Sequence, residues 1–357
     1  MSEQGIPTRR AACQEAGMFT RRFVSLTAAL VMLSLASLPA CAQDSSFQSY
    51  LEHVAAKARA EGVSERTIGN LLGGLTPNER VIALDRDNTS GGSSSGFPPL
   101  APYLRDHNTA ARIAGGRRVY QRLYPLAADV EARYGVPAQI MIAIWGHETS
   151  YGAVRGNFDL VRSLATLAWE GRRRQLFEPE LIDVLKIADT GVPRSTLVGS
   201  WAGAFGNPQF LPSVYLRLAV DGDGDGDRDI WNSEVDTLHS IANYFRDAGW
   251  RPGQPWGVRA YTPNTVDRFA IQTEVVSPIC PRVHIRHSQW KTVREWRQLG
   301  VIPQGPIGDD VMAALFEPDG PAAPGYLITQ NYRVILEYNC SNYYAMSVGL
   351  LADEIAR

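Results

Sequence analysis

One carboxylic acid on an otherwise apolar helical segment constrains the fold of this chain more than any other feature. Pro137 suits the first turn of a helix, and an apolar sequence follows it. Met141, Ile144 and Trp145 lie seven, four and three residues before Glu148. Residues at these spacings share one face of a helix, so Glu148 continues an apolar stripe. The pattern predicts an inward-facing carboxyl group near the end of a buried helix.

Two interpretations of Glu148 follow from this position. Removal from water raises the pKa of a carboxyl group, and a carboxyl that keeps its proton near neutral pH suits a general acid in glycosidic bond cleavage. Alternatively, the side chain closes the helix end by bonding to a backbone amide or to an arginine. Spacing alone favours the structural interpretation, so the rest of the sequence has to decide.

Composition and charge narrow the classes of function. The chain has 357 residues, of which 45% are hydrophobic and 20% charged, which is typical of a globular protein and excludes disordered, collagen-like and multi-span membrane proteins. Its 35 basic and 37 acidic residues give a formal net charge of −2, so no nucleic-acid partner is expected. Eight Trp and 14 Tyr offer faces that stack on sugar rings, whereas six His leave little material for a zinc centre.

The N-terminal segment has the pattern of an export signal. Arg21 and Arg22 precede 16 uncharged, largely apolar residues, 23–38, a run too short for a typical bilayer span. We expect residues 1–42 to be a signal peptide, with Met18 as an alternative start, and the mature protein to reside in the periplasm.

Two kinds of processing fit the end of this signal. Ala40-Cys41-Ala42 matches the small-x-small rule for simple cleavage, which we favour. The preceding Leu38-Pro39-Ala40-Cys41 also resembles a bacterial lipobox, which would attach a lipid to Cys41 and make the protein an outer-membrane lipoprotein. After removal of residues 1–42, only Cys280 and Cys340 remain. In an oxidising compartment they are candidates for one disulfide, and two buried free thiols are the alternative.

Local patterns predict an α+β protein that is mostly α. The predicted regions are an N-terminal helical region at 43–116 with a flexible loop at 88–96, a helical core at 117–250, a small β-rich region at 251–326 and a C-terminal helical segment at 327–357. Within them, helices are predicted at Ser163–Trp169, Glu178–Ala188 and Asp236–Ala248, and short β-branched runs at Thr273–Val276 and Arg282–Ile285.

Two further segments are rich in small, amide and aromatic residues. Gly199–Ser213 combines glycines, which let a backbone approach a ligand closely, with the neutral hydrogen-bonding side chains of Ser200, Asn207 and Gln209. The segment 338–345 combines tyrosines with asparagines, a composition that suits an uncharged, hydroxyl-rich polymer. Each segment alone is also compatible with ordinary loop packing.

Taken together, the motifs resemble the lytic murein transglycosylase B family, enzymes of the lysozyme superfamily that cut peptidoglycan. The resemblance covers most of the mature chain and rests on Arg112-Ile113, Tyr134–Pro137, Ile144–Gly152, Gly171–Arg173, Gly199–Ser213, Ala242–Phe245 and Tyr338–Ala345. Phe205 and Asn207 stand where members more often carry Met and Gln, which puts the detail of the subsites in doubt.

The resemblance implies a lysozyme-like catalytic core at 117–250, completed by the C-terminal segment, with Glu148 as the single catalytic acid. The residues that it places along the cleft are Ser200, Gln209, Tyr244, Tyr338, Asn339 and Tyr344. It also implies that Arg172 and Arg173 face acidic groups of the substrate. We expect desolvation to raise the pKa of Glu148 despite these arginines.

The implied reaction cleaves the β-1,4 bond between MurNAc and GlcNAc and forms 1,6-anhydro-MurNAc, with Glu148 acting first as acid and then as base. It requires no cofactor and no second carboxylate, so Asp159 is expected to be structural. The alternatives are a muramidase that uses water and a non-catalytic peptidoglycan-binding protein. Peptidoglycan strands are the expected partner of a monomer, and proteins of cell-wall synthesis are further candidates.

An acidic loop begins like an EF-hand. Asp221, Asp223, Asp225 and Asp227 alternate with other residues, mostly glycine, but position 12 of the loop is not the usual Glu. Asp236 stands where it closes a longer loop. The pattern predicts either a structural Ca²⁺ site or a solvated acidic turn, and sequence does not separate the two.

Overall fold

The computed structural model describes residues 40–87, 98–273, 280 and 283–357, with side chains from residue 46 onward. Residues Asp44–Arg357 form one compact unit. Most of the predicted signal peptide, the predicted loop at 88–96 and most of the Thr273–Val276 run lie outside the described residues. Within the described part of the chain, no helix combines the length and apolarity that a membrane crossing needs.

The described residues form thirteen α-helices and seven strands. The helices are α1 (Ala40–Ala60), α2 (Glu65–Leu72), α3 (Glu79–Asp87), α4 (Leu100–His107), α5 (Ala110–Tyr134), α6 (Ala138–Thr149), α7 (Leu160–Glu170), α8 (Arg174–Asp189), α9 (Pro212–Leu218), α10 (Glu234–Asp247), α11 (Val293–Gln298), α12 (Gln330–Tyr338) and α13 (Asn342–Ile355). The strands are β1 (Phe158–Asp159), β2 (Val198–Gly199), β3 (Gly257–Tyr261), β4 (His287–Thr292), β5 (Ile302–Pro303), β6 (Met312–Phe316) and β7 (Gly325–Ile328). The prediction of a mostly α fold with a small β-rich region is confirmed.

Helix α6 lies at the centre of the first hydrophobic core. Its residues 140–146 are all buried, because the sequence presents apolar or small side chains on every face. It packs against α5 and α13, so segments far apart in the chain surround it. A left-handed Gly135, with φ of 73°, ends α5, and Pro137 directly precedes the first residue of α6.

Two further cores flank the first. One is formed by apolar residues of α1, α2, α7, α8 and the chain from 197 to 231. The other lies under a five-stranded antiparallel sheet with the order β4-β6-β7-β3-β5. In this sheet, Leu327 of β7 pairs with Val258 of β3 on one side and with Leu315 of β6 on the other. Trp296 of α11 is completely buried beneath this sheet. The sheet region follows α10 and precedes α12, so it stands between two helices of the first core.

The structure refines several predicted boundaries. The predicted helices at 163–169, 178–188 and 236–248 correspond to α7, α8 and α10. Helix α5 passes through the boundary predicted between 116 and 117, because one continuous pattern covers both sides of it. In the run predicted to be extended at Arg282–Ile285, the described residues His284 and Ile285 belong instead to a short 3-10 turn that leads into β4.

Cys280 and Cys340 form a disulfide, with Cα atoms 5.3 Å apart. The structure therefore contains the disulfide, and not the two buried free thiols that were the alternative from sequence. The bond closes a segment with a sequence separation of 60, which includes strands β4 to β7.

Replacing both Cys280 and Cys340 by Ser should destabilise the protein, because the disulfide restricts the unfolded chain. For a closed segment of this length the chain-entropy relation gives about 4 kcal/mol of unfolding free energy. Guanidinium unfolding of the oxidised protein and the double variant measures the difference. Equal midpoints for the two proteins would contradict a structural role for the bond.

Candidate active site

The end of α6 has an unusual backbone. After Thr149, the last helical residue, three consecutive residues adopt left-handed conformations: Ser150 with φ of 50°, Tyr151 with φ of 61° and Gly152 with φ of 86°. Left-handed backbone is unfavourable for residues other than glycine and requires support from the surroundings. Glu148 lies directly before this turn, so the turn defines where its side chain leaves the helix.

Three glycines supply that support by accepting the ring of Tyr151. A Cβ atom at Gly146 would lie 2.6 Å from the Tyr151 ring, and one at Gly115 of α5 would lie 2.9 Å from it. A Cβ atom at Gly116 of α5 would lie 2.6 Å from the Tyr151 hydroxyl oxygen and equally close to Ile355. The Tyr151 hydroxyl donates a hydrogen bond of 2.8 Å to the carbonyl of Arg112. The ring therefore fixes the end of α6 against α5.

Glu148 is partly buried, and its one hydrogen-bond partner among the described residues is the hydroxyl of Tyr344 on α13, which donates to Oε1 over 2.6 Å. Burial raises the pKa of Glu148 to about 7, and the bond from Tyr344 opposes the shift. Within the part of the chain that the structure describes, no arginine or lysine pairs with this carboxyl. The sign of the shift is the one that the sequence predicts.

The neighbouring histidine does not supply a positive charge. Burial lowers the pKa of His147 to about 3, so its ring is neutral at ordinary pH. His147 Nε2 lies 3.1 Å from Ser347 Oγ, which donates to Asn108 Oδ1 over 2.7 Å. The single hydroxyl hydrogen of Ser347 points to Asn108, so the ring nitrogen is the donor to Ser347. Glu148 therefore keeps its proton beside a neutral imidazole.

The glycine-rich segment and the late tyrosine segment meet at the end of α6. Thr149 Oγ1 donates to the carbonyl of Asn207 over 3.0 Å, and the Tyr338 hydroxyl donates to the carbonyl of Pro208. The negative charge of Glu148 contributes, after burial, to raising the pKa of both Tyr338 and Tyr344. The structure thus brings together Glu148, Tyr338 and Tyr344 from three helices.

The remaining cleft candidates mainly build the surrounding turns. Ser200 Oγ accepts from the amide of Ala204 over 3.0 Å, and Gln209 Nε2 donates to the carbonyl of Gly206 over 3.0 Å. The Tyr244 hydroxyl donates to the carbonyl of Glu337 over 2.9 Å, and its ring centroid lies 4.7 Å from that of Tyr338. Asn339 is exposed at the end of α12. Contacts between these four side chains and a substrate stay a prediction.

Arg172 and Arg173 share an internal acid. Both guanidinium groups form ion pairs with Asp85 of α3, whose side chain is only 4% exposed. Arg172 Nε adds a hydrogen bond of 3.0 Å to the same carboxylate. A buried carboxylate needs such compensation. The arginine side chains are themselves 31% and 35% exposed, and contact between them and acidic groups of the substrate stays a prediction.

Sequence reasoning missed Tyr103, on α4. Burial raises its pKa, and the negative charge of Glu148 is the next cause, so the phenol lies near the carboxyl. Its ring stacks on His107 with centroids 3.8 Å apart. A single tyrosine in a short helix gives no local signal of this position. Asp159, by contrast, is structural as expected: it caps α7 and forms an ion pair with Arg194.

The acidic loop brings together three of its five predicted ligands. Carboxylate oxygens of Asp221, Asp223 and Asp236 all lie within 4.8 Å of one another, whereas Asp225 and Asp227 are exposed and outside this group. Asp236 is completely buried and accepts from the amides of residues 222 and 229, each over 2.7 Å. Twice a Ca²⁺–oxygen distance is about 4.6–5.2 Å, so the three oxygens fit a shared cation of this kind.

Comparisons with known proteins agree with this geometry. The family model described as the transglycosylase SLT domain matches residues 46–353. The membrane-bound lytic murein transglycosylase B of Escherichia coli K12 is 35% identical over 229 residues, which are 62% of this chain and 58% of that protein, so the match spans less than two thirds of the relative.

Solved structures give the same result for the fold. SltB3 of Pseudomonas aeruginosa, crystallised in complex with NAG-anhNAM-pentapeptide, has a TM-score of 0.77 and 36% identity, with 87% of this chain and 79% of that chain covered. The Escherichia coli lytic transglycosylase Slt35, crystallised in complex with calcium, has a TM-score of 0.69 and 26% identity, with 89% of this chain and 94% of that chain covered.

Gly146→Ala should destabilise the protein, because its Cβ would overlap the Tyr151 ring. Overpacking of this kind costs about 1–3 kcal/mol. Gly69→Ala on α2 is the matched control: its Cβ meets no atom within 4 Å, so better helix propensity should raise stability by about 0.5–1 kcal/mol. Thermal unfolding measures the stability of both variants. Equal stabilisation by the two substitutions would refute the close packing of the Tyr151 ring against Gly146.

Proposed function

Because the chain belongs to the family of proteins built on the transglycosylase SLT domain, we propose that it is a lytic transglycosylase that cleaves the MurNAc–GlcNAc bond of peptidoglycan. The observation that carries the proposal is Glu148, a carboxyl group whose pKa is raised to about 7 at the point where three helices meet. A binding protein has no need of an acid kept out of water. Relatives named as lytic transglycosylases support the same conclusion.

Glu148 performs two proton transfers in this proposal. In its protonated form it donates to the glycosidic oxygen, and the GlcNAc leaving group departs while the N-acetyl group of MurNAc stabilises C1. The resulting carboxylate then takes the proton from the C6 hydroxyl of MurNAc, whose oxygen attacks C1 to give the 1,6-anhydro product. An intramolecular nucleophile has a high effective concentration, so no water is required.

A single carboxylate suffices for this reaction, whereas ordinary glycosidases use a pair. Burial raises the pKa of Glu148 and the Tyr344 hydrogen bond opposes this shift, so no second acid contributes to it. The Asp159 carboxylate forms an ion pair with Arg194 and caps the N-terminus of α7. This arrangement fits the transglycosylase, and because the Glu148 carboxylate can serve as a base for water as well as for the C6 hydroxyl, product analysis separates it from a muramidase.

Glu148→Gln should lower the rate of sacculus digestion between about a hundredfold and ten-thousandfold, the usual contribution of a general acid. Wild-type activity should fall as pH rises through about 7, because the acid form of Glu148 is lost there. Mass spectrometry of the products should show 1,6-anhydro ends, lighter by one water than reducing ends. Glu79→Gln, at an exposed position of α3, is the control and should keep full activity. Products with reducing ends would instead establish a muramidase, and full activity of Glu148→Gln would exclude Glu148 as the acid.

We also propose that Asp221, Asp223 and Asp236 bind a structural Ca²⁺. Their carboxylates form no ion pair with a basic residue among the described side chains. Burial raises the pKa of Asp236, its two backbone amide donors oppose the shift, and the charges of Asp223 and Asp221 add to the increase. The nearby Arg228 lies over the Tyr215 ring instead. Oxygen donors whose repulsion is uncompensated fit a hard cation. The calcium complex of Slt35 supports the choice of metal.

Calcium should raise the melting temperature of the wild-type protein, and Asp223→Asn should reduce this effect. At a hundredfold excess over the dissociation constant the stabilisation is about 2.7 kcal/mol. Asp225→Asn removes the same charge from an exposed neighbour outside the group, and it should keep the response. Scanning calorimetry with calcium, magnesium or chelator makes the comparison. Absence of a calcium response in the wild type would eliminate the site.

Location and partners complete the proposal. We propose export through residues 1–42 to the periplasm, with lipid attachment at Cys41 as the alternative to simple cleavage. The Escherichia coli relative carries the description membrane-bound. Peptidoglycan glycan strands are the proposed partner, as fragments of this polymer are bound in the SltB3 structure. A monomeric state and contacts with proteins of cell-wall synthesis also stay proposals.

A further inference from the structure

One buried amide connects the sheet region to the helix that carries Tyr344. Asn342 is the first residue of α13, and its side chain is 7% exposed. Its Oδ1 accepts from His287 Nε2 on β4 over 2.8 Å and from the Tyr332 hydroxyl on α12 over 3.1 Å. Its Nδ2 donates to the carbonyl of Val283 over 2.8 Å. Three parts of the chain therefore hold a single side chain.

The hydrogen bonds define the orientation of the Asn342 amide and of the His287 ring, whereas the Tyr332 hydroxyl lies 3.1 Å from both Oδ1 and the backbone carbonyl oxygen of Asn342. Nδ2 of Asn342 is the donor to a carbonyl, so Oδ1 is an acceptor and the facing Nε2 of His287 carries the hydrogen. His287 and Tyr332 are themselves buried, at 3% and 0% exposure. The hydrogen bonds of a buried network limit its freedom to rearrange, and here they hold Nε2 of His287, while its Nδ1 has no hydrogen-bond partner among the described residues. The first turn of α13 is thus fixed in position and in rotation about its axis.

Tyr344 lies two residues after Asn342, in the same first turn. Ser341 Oγ caps this turn by accepting from the amide of Tyr344 over 3.3 Å. The Tyr344 hydroxyl reaches Glu148 over 2.6 Å, and a bond of that length weakens steeply when either partner moves. The position of the Asn342 amide therefore determines whether the hydroxyl meets the carboxylate.

From this connection we propose that His287 and Asn342 are positioning residues, which hold the Tyr344 hydroxyl on Glu148 and so couple the sheet region to the catalytic acid. The proposal rests on the proposed function of Glu148 but concerns residues that do not touch it.

The sign of the effect follows from the chemistry of the bond. A hydroxyl that donates to a carboxylate stabilises the charged form, so loss of the bond raises the pKa of Glu148 further. A hydrogen bond to a charged group contributes about 1.5 kcal/mol or more, which corresponds to about one pKa unit. Displacement of Asn342 should therefore act in the same direction as removal of the hydroxyl in Tyr344→Phe.

Other titratable groups near the two ends of the connection do not change this sign. Tyr103, Tyr338 and neutral His147 lie around Glu148, and Arg112 acts on Tyr103 and His147. Around His287 lie His284, Arg286 and Arg333, and burial together with these groups lowers the pKa of His287 to about 3. His287 therefore stays neutral between pH 5 and 9, and a shift measured in that range belongs to Glu148.

The test is a titration of Glu148 in the ligand-free protein. Glutamate is labelled with ¹³C at the side-chain carboxyl, and the Glu148 resonance is assigned by its absence in Glu148→Gln. We expect Asn342→Ala and His287→Ala to raise the midpoint by up to about one pH unit, whereas His287→Gln, which keeps a donor, should restore the wild-type value. Tyr332→Phe removes a single hydroxyl, so it keeps the fold and should give a smaller shift in the same direction.

A double variant and a control separate positioning from general destabilisation. Asn342→Ala added to Tyr344→Phe should cause no further shift, because both changes remove the same bond. Val293→Ala opens a cavity in the core beneath the sheet without touching the network, so it should lower the melting temperature and leave the midpoint unchanged. An unchanged midpoint in Asn342→Ala, a full additional shift in the double variant, or a shift in Val293→Ala would each overturn the proposal.

Activity provides the second readout and keeps the two hypotheses distinct. In sacculus digestion, the alkaline limb of the pH profile should move upward in Asn342→Ala by the amount seen in the titration. If the wild-type protein does not digest sacculi, the proposed function fails, while the titration still decides whether Asn342 positions Tyr344. If the wild-type protein is active but the alkaline limb of its pH profile does not move in Asn342→Ala, only the proposed positioning role is refuted.

Discussion

The removal of one carboxyl group from water is the constraint on which the rest of this structure depends. A partly buried acid with no cationic partner among the described residues keeps its proton to near pH 7, and that is useful only if the surroundings stay neutral. His147 meets this condition through burial, which lowers the pKa of its ring to about 3. Among the described ion pairs, Arg172 and Arg173 contact Asp85 and not Glu148.

A desolvated acid also needs a rigid support, since small shifts in position change the water that it meets. The support at Glu148 includes backbone that is itself unfavourable, with Ser150 and Tyr151 in left-handed conformations. Strain of this kind costs about 1–3 kcal/mol per residue and persists only where packing compensates. The Tyr151 ring, inserted between α5 and the end of α6, provides that compensation. The same tyrosine therefore explains why small residues are needed at three separate positions.

Local periodicity was enough to predict α6 and the inward position of Glu148, because these depend on residues within two turns of one helix, whereas the choice of a raised pKa over a helix-end contact required the family resemblance. The convergence of the glycine-rich and tyrosine-rich segments was predictable only from the order of motifs in a family. The ion-pair partner of Arg172 and Arg173 was not predictable. Asp85 lies 87 residues before Arg172, and no local sequence pattern indicates the pairing. Tyr103 was missed for the same reason. Its proximity to Glu148 arises from tertiary packing, which no local sequence pattern indicates.

The sheet region illustrates how a segment without catalytic groups contributes to a site. It begins after α10 and returns the chain to α12 and α13, both of which present a tyrosine near Glu148. A helix that packs on the core through apolar contacts alone retains freedom to slide and rotate, because such contacts are not directional. Hydrogen bonds to the first residue of α13, together with a disulfide at Cys340, remove that freedom at the end nearest the acid. The directional contacts of the β-rich region and the non-directional core of α6 therefore perform different tasks: the core raises the pKa of Glu148, and the polar contacts decide which hydroxyl meets it.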